Sequence, residues 1–131
     1  MLDKAAGWDR VGLQIGDPTK EVSVLAVCHE VTPPVVEALI AEGVDLAVTY
    51  HPLLFRPVTS LVAGNDPGGR AFRLAAGGVA VAAVHTGFDV MPGGAADALA
   101  GSLDLTDIAG FGPMWGKDSV KVITFAPASA A

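Results

Sequence analysis

The segment from residue 32 to residue 52, "TPPVVEALIAEGVDLAVTYHP", contains a helix signal followed directly by a strand signal. Thr32 is a candidate N-cap, prolines follow it in the first turn, and Gly43 is a candidate C-cap, so the first half predicts a helix over 32–43. The run "VDLAVT" at 44–49 is short, apolar and bounded by turn residues, which is typical of a buried strand. The segment therefore predicts one helix–strand unit of an α/β fold.

The same alternation continues on both sides of this unit. "EVSVLAVCHEV" at 21–31 and "VAVAAV" at 79–84 are predicted strands, while "NDPGGRAFRLAAGG" at 65–78 and "PGGAADALAGSL" at 92–103 are predicted helices. Continuous apolar strands that alternate with helices favour a parallel sheet joined by right-handed crossovers. We therefore expect a three-layer α/β half-domain with a mostly parallel sheet and helices on both faces.

Composition limits the classes of function. The chain has 131 residues, enough for one domain, and its net charge is −6 with only eight Lys and Arg, which argues against nonspecific nucleic-acid binding. It has no apolar run of the roughly 18 residues that a membrane helix needs. The first residues lack the layout of a signal peptide, and Cys28 is the only cysteine, so a cytoplasmic location is expected.

Two segments near the ends lack an obvious partner. Trp8 and the following "GLQIGDP" are predicted to form a loop that packs against the sheet. "SVKVITFAP" at 119–127 is predicted to form a strand that has no partner after it. Either the chain is a fragment or this strand pairs with something else.

Polar side chains follow each of the three predicted strands. His29 ends the first strand, Tyr50 and His51 end the second, and His85 and Asp89 follow the third. Because the carboxyl ends of parallel strands meet at one edge of a sheet, all three histidines are expected at the edge where such folds bind ligands. Any one of them alone is more often an ordinary polar residue, but together they favour a functional site.

Imidazole and carboxylate are the ligands of zinc, iron, manganese and similar divalent ions. His51 and Asp89 are the best candidate pair, because each follows a strand end closely. A serine hydrolase triad is not indicated, since the sequence has no G-x-S-x-G motif, and the phosphate-binding pattern G-x-x-x-x-G-K-[ST] is also absent.

Three segments, "GWDRVGLQIGDP", "VTPPVVEALIAEGVDLAVTYHPLLFRPVTSL" and "VAAVHTGFDVMPGGAADALA", resemble the NIF-three-like family in the family's order. Its members are often named GTP cyclohydrolase 1 type 2 homologs. The resemblance implies that residues 1–118 are the N-terminal half of the family's α/β domain. Residues 119–131 would be a terminal strand or the start of the domain that many members insert between their halves.

The resemblance also implies a dinuclear metal centre. His51 matches the second histidine of the family's His-His pair, Asp89 matches the aspartate of its H-T-N-L-D motif, and His85 matches the histidine of that motif. Tyr50 stands where the first histidine is expected, and Gly87 replaces the motif asparagine. A phenol is a poorer ligand than imidazole because its pKa is about 10, so a weak or mononuclear site is expected, with His29 as a candidate substitute.

The expected function is a metal-dependent hydrolase of the GTP cyclohydrolase 1 type 2 homolog type. His51 and Asp89, with Tyr50 at the same site, would bind one or two divalent ions (zinc, iron or manganese), and His85 would orient a ligand or transfer a proton in catalysis. The alternative is a non-enzymatic metal-binding or protein-interaction scaffold with a degraded site. The expected partners are a small-molecule substrate and further copies of the chain, a hexamer by resemblance, with no membrane or nucleic acid.

Overall fold

The computed structural model describes residue 3 and residues 5–110. Four short strands form one sheet in the order β1-β4-β3-β2. Strands β2, β3 and β4 run parallel, and β1 pairs with β4 in the antiparallel direction. The predicted α/β class with a mostly parallel sheet is therefore confirmed. The strands are β1 (Gly12–Ile15), β2 (Leu25–Cys28), β3 (Leu46–Thr49) and β4 (Ala80–Ala83).

Four helices connect or follow the strands: α1 (Pro33–Ala41), α2 (Pro67–Ala76), α3 (His85–Asp89) and α4 (Ala95–Ser102). Helix α2 has a complete N-cap, since the Asp66 carboxylate accepts hydrogen bonds from the backbone N–H of Gly68 at 3.0 Å and of Gly69 at 3.2 Å. Helix α1 also begins with prolines, but the side chain of its N-cap residue, Thr32, makes no capping hydrogen bond. The two helices therefore use the same proline signal with different capping chemistry.

The hydrophobic core lies between one face of the sheet and helices α1 and α2. Alternate strand residues point to this face, including the fully buried Ala47 and Val81. The helices contribute Val36, Leu39 and Leu74, which are 0–5% exposed. Burial of these aliphatic side chains supplies the main stabilising free energy of the fold.

The opposite face of the sheet is only partly covered within the described range. Leu25 and Val27 of β2 are 58% and 79% exposed. A cavity separates Val27 from Phe88 and Ala95, so α3 and the start of α4 flank this face near the carboxyl ends of the strands. Helices thus lie beside both faces, with the tighter packing on the side of α1 and α2.

One expectation for local structure is wrong, and one short helix was not predicted. The segment after Trp8 was expected to be a loop, but Gly12–Ile15 forms strand β1. Its register against β4 shifts between Leu13 and Ile15, and its four residues are too few for the alternation of apolar and polar side chains to stand out. The residues after β4 form helix α3, a single turn too short to give a helical repeat. The predicted strand at 119–127 and the domain boundary after residue 118 lie outside the described residues.

No helix in the described part of the chain is long and apolar enough to cross a membrane.

Candidate functional site

The three histidines lie side by side at the carboxyl ends of the parallel strands. Beyond β2 and β3 the backbone pairing continues, because the N–H of Tyr50 donates to the carbonyl of Cys28 at 3.1 Å and the N–H of His51 donates to that of His29 at 2.9 Å. The N–H of His85 donates to the carbonyl of Tyr50 at 3.0 Å. Main-chain hydrogen bonds therefore fix where each of these side chains begins.

The rings form one aromatic cluster. His51 lies 4.6 Å from His29, 5.0 Å from Tyr50 and 5.4 Å from His85 between ring centroids. The ring of His29 is stacked on that of Tyr50 at 5.2 Å with planes 9° apart. The structure thus brings together the residues that the sequence singled out after three different strands.

The hydroxyl of Tyr50 donates a hydrogen bond of 2.7 Å to Oδ1 of Asp89. This hydrogen bond, together with partial burial and the negative charges of Asp89 and Asp9, raises the pKa of the Tyr50 phenol above its ordinary value. The phenol therefore stays protonated near neutral pH and acts as a donor to the carboxylate. Asp89 keeps a second oxygen for another partner.

A buried carboxylate that sequence analysis missed lies behind His85. The side chain of Asp9 is 0% exposed, and its Oδ1 lies 2.8 Å from Nδ1 of His85. Its carboxylate also accepts hydrogen bonds from the backbone N–H of Arg10 and from the N–H and hydroxyl of Thr86. Burial alone would raise the pKa of Asp9, but the hydrogen bonds from Thr86, His85 and Arg10 outweigh it and hold the pKa below its usual value.

The Asp9–His85 pair fixes the orientation of the imidazole. A carboxylate beside Nδ1 favours the tautomer that carries its proton there, which leaves Nε2 able to accept a proton. His85 also adopts a positive φ of 29°, a strained conformation for a residue with a side chain. The turn that starts α3 therefore places this histidine at some conformational cost.

Two aromatic rings flank His85. The ring of Trp8 packs edge-to-face against the imidazole with 6.4 Å between ring centroids, and the ring of Phe55 does the same with 6.5 Å between centroids. Through its contact with His85, Trp8 lies at the expected edge of the sheet. Because 54% of its surface is exposed, it covers the site incompletely.

Two open cavities adjoin the cluster. One, of about 540 Å³, is lined mainly by apolar groups from β2, α3 and α4, with His29 and Tyr50 on its wall. The other, of about 390 Å³, is lined by Glu30, His51, Pro52, Phe55 and His85. The acidic and imidazole groups of the second cavity make it the more suitable place for polar chemistry.

The candidate metal ligands at this site would bind a divalent ion only together with further ligands. An imidazole at His51 and a carboxylate at Asp89 are suitable ligand types, and Tyr50 bonds to that carboxylate. Among residue 3 and residues 5–110, however, no group of three or more His, Cys, Asp or Glu side chains is arranged to hold an ion. The metal-binding role of these residues therefore stays a prediction.

The sequence gives little indication that Asp9 belongs to the candidate site. It is an acid between a tryptophan and an aliphatic run, and nothing in that segment indicates that it pairs with a histidine 76 residues later. Only the antiparallel pairing of β1 with β4 brings the two segments together.

Comparison with known proteins gives a consistent family. A "GTP cyclohydrolase 1 type 2 homolog" of Lactococcus lactis is 39% identical over 100 residues, which cover 76% of this chain and 39% of that protein. A protein of the same name from Mycobacterium tuberculosis is 36% identical over 124 residues, which cover 94% of this chain and 32% of that protein. The chain thus spans about a third to two-fifths of these two curated relatives.

Solved structures agree in fold. A Staphylococcus aureus hypothetical protein has a TM-score of 0.73 at 36% identity, covering 80% of this chain and 30% of that one. Reduced HcgD from Methanocaldococcus jannaschii has a TM-score of 0.72 at 30% identity, and the match covers 80% of this chain and 42% of that chain. The sequence model of Duf34/NIF3 (NGG1p interacting factor 3) matches residues 1–128. The chain therefore belongs to the DUF34/NIF3 family.

Proposed function

We propose that the protein is a metal-dependent hydrolase of the kind named in its relatives, GTP cyclohydrolase 1 type 2 homolog. The observation that carries the proposal is the buried Asp9–His85 pair, placed at the sheet edge beside His51. Carboxylate–imidazole pairs of this kind are typical of sites where a histidine accepts or donates a proton.

His51 and Asp89 are the proposed metal ligands of this chain. A divalent ion bound here would lower the pKa of a coordinated water toward neutrality. Tyr50 would hold the Asp89 carboxylate in place through the hydrogen bond to Oδ1. Ligating carboxylates commonly have such a supporting partner, because it fixes their orientation.

His85 is the proposed proton acceptor. Asp9 holds the proton on Nδ1, so Nε2 takes a proton from the attacking water and can return it to the leaving group. A small-molecule substrate would occupy the cavity of about 390 Å³ that His51 and His85 line. GTP is proposed as the substrate only from the name of the relatives.

A scaffold function is the second candidate, and one observation favours it. The residues described in the structure offer no group of three metal ligands, and Tyr50 occupies the position of an expected imidazole. In that case the protein would bind one weak ion or none and would catalyse nothing.

Metal content separates the two candidates. The full chain is dialysed against buffer with Zn²⁺, Mn²⁺ or Fe²⁺, and bound metal per chain is measured by elemental analysis. The hydrolase proposal expects bound metal in the natural chain, more metal in Tyr50→His, and little in His51→Ala. Equal occupancy in all three proteins would remove His51 from the site.

Activity provides the second half of the test. The metal-loaded protein is incubated with GTP and other nucleotides, and loss of substrate is followed by chromatography. His85→Gln is expected to reduce any hydrolysis by about 10²-fold or more, because it removes the proton acceptor and keeps a side chain of similar size. Hydrolysis unaffected by this change would contradict the proposed role of His85.

A further inference from the structure

Gln14 lies at an irregularity of strand β1. Leu13 pairs with Ala82 and Ile15 pairs with Val81, the next residue along β4, so Gln14 is an extra residue without a partner in the ladder. An extra residue of this kind forms a β-bulge, which redirects a side chain and is common beside functional sites. The bulge therefore leaves the side chain of Gln14 available for a contact outside the sheet.

The side chain of Gln14 binds the loop that follows β3. Its Oε1 accepts a hydrogen bond from the backbone N–H of Leu54 at 3.0 Å, and its Nε2 donates to the carbonyl of Leu54 at 3.3 Å. A primary amide carries an acceptor and two N–H donors, so it bonds to both backbone groups of one residue, as a neighbouring strand does. This contact joins the edge strand to a loop 40 residues later in the chain.

The loop has few other main-chain anchors. Pro52 and Pro57 carry no N–H, and among the described residues no backbone–backbone hydrogen bond involves positions 52–57. Leu53 holds the loop through its side chain, which is buried in the core. The amide of Gln14 adds the hydrogen bonds to the backbone of the next residue, Leu54.

Leu54 lies between two residues of the candidate site. His51 precedes it and Phe55 follows it, and both line the cavity of about 390 Å³. The ring of Phe55 also packs edge-to-face against His85, with 6.5 Å between centroids. Holding Leu54 therefore holds the part of the cavity wall that this loop forms.

The same amide reaches the segment before β1. Nε2 of Gln14 donates to the carbonyl of Arg10 at 3.1 Å. Arg10 follows Asp9, whose Oδ1 lies 2.8 Å from Nδ1 of His85. One side chain thus connects the segment that orients His85 to the loop after β3.

We infer that Gln14 is a positioning residue of the candidate site: its side-chain amide fixes the loop from His51 to Phe55 relative to the segment that carries Asp9. Gln14 does not line the cavity of about 390 Å³, so it acts through the residues that do. The inference deepens the proposed function and rests on it for the claim that this cavity takes the substrate.

The test compares the natural full chain with Gln14→Met, which keeps an unbranched side chain but removes the amide. Leu13→Met is the matched control, because it places the same side chain at a neighbouring, 44% exposed position of β1. Gln14→Glu is a second variant, whose carboxylate accepts a hydrogen bond from the N–H of Leu54 but donates none. Circular dichroism checks that each variant is folded, and urea unfolding measures its global stability.

Amide hydrogen exchange, followed by nuclear magnetic resonance, reports on the hydrogen bond to Leu54 directly. In Gln14→Met the N–H of Leu54 is expected to exchange about tenfold faster or more, because its acceptor is lost and the loop opens locally. Amides of the core strands are expected to change only as far as the global stability does. Leu13→Met is expected to match the natural chain, and Gln14→Glu to lie between the natural chain and Gln14→Met.

Ring contacts show whether the site moves with the loop. The nuclear Overhauser effect between Phe55 and His85 is expected to weaken in Gln14→Met. The effect between the stacked rings of His29 and Tyr50, which lie outside the loop, is expected to stay unchanged. A role in general stability alone would leave both contacts intact in the folded protein or weaken both alike.

Kinetics extend the test to the proposed hydrolysis. Gln14→Met is expected to lower kcat/KM by about tenfold or more, because displacing site residues by about an ångström is enough for such a loss. Leu13→Met is expected to leave kcat/KM unchanged.

Each of four results would overturn the role of Gln14. They are natural exchange at Leu54 in Gln14→Met, an equal rise in exchange at all amides, unchanged ring contacts, and natural kcat/KM in Gln14→Met. Gln14→Glu exchanging as fast as Gln14→Met would also contradict the assigned acceptor. If the natural chain hydrolyses nothing while exchange and ring contacts change as expected, the proposed function fails and the positioning role of Gln14 stands.

Discussion

Asp9 is the residue that structure adds to the candidate site. Its side chain is fully buried, and four hydrogen-bonding groups surround its carboxylate: the backbone N–H of Arg10, Nδ1 of His85, and the N–H and hydroxyl of Thr86. Hydrogen bonds to a charged group contribute about 1.5–3 kcal/mol each, and a buried polar atom left without one costs about as much. We therefore expect Asp9→Asn to lower the free energy of unfolding at pH 7 by about 2 kcal/mol or more.

The lowered pKa of Asp9 also predicts how the free energy of unfolding changes with pH. The pKa of Asp9 is lower in the folded chain than its ordinary value, so its stabilising effect is present above the unfolded pKa of about 3.9 and is lost as the pH falls through the folded pKa. Urea unfolding at pH 7 and pH 3 should show a smaller acid loss in Asp9→Asn than in the natural chain. The control is Asp107→Asn at an exposed position, and an equal acid loss in all three proteins would contradict the account.

The residues at the strand ends show what sequence could predict about the site. Tyr50, His51 and His85 were found because each follows an apolar run, and a parallel sheet brings such ends together. Asp9 could not be found in this way, since its partnership with His85 depends on the antiparallel edge strand. Sequence periodicity reports which face a residue occupies, but it does not report contacts between distant segments.

At the scale of elements, the two proline-initiated helices offer a matched test of capping. Asp66 accepts two backbone hydrogen bonds at the start of α2, whereas Thr32 accepts none at the start of α1. Loss of a working cap costs about 0.5–2 kcal/mol. Chemical denaturation should therefore show a loss of about 1 kcal/mol for Asp66→Ala and less than about half of that for Thr32→Ala. Equal losses would show that the contact at Asp66 does not act as a cap.

Element prediction succeeded where the signal was repeated and failed where it was short. Helices α1 and α2 fall within the predicted ranges 32–43 and 65–78, because proline starts and glycine ends bound them clearly. Strand β1 and helix α3 span four and five residues, which is too few for a period to be recognised. Both define the site, since β1 brings Asp9 to β4 and α3 carries His85.

At the scale of the whole molecule, the sheet has two unequal faces within the described residues. Val81 of β4 is 0% exposed on the face that α1 and α2 cover, whereas Val27 of β2 is 79% exposed on the other. Valine and threonine have similar shapes and both favour strands, so Val→Thr isolates the effect of burying a hydroxyl. A buried hydroxyl without a partner costs about 1–3 kcal/mol, and an exposed one costs almost nothing.

We therefore expect Val81→Thr to lower the free energy of unfolding by about 1–3 kcal/mol and Val27→Thr to change it by less than about 0.5 kcal/mol. Urea denaturation of the natural chain and the two variants, at several protein concentrations, provides the measurement. If Val27→Thr destabilises the protein as much as Val81→Thr, the open face is covered in solution, and the concentration dependence shows whether another copy covers it. Equal effects without concentration dependence would place the cover within the chain and would contradict the division into a packed and an open face.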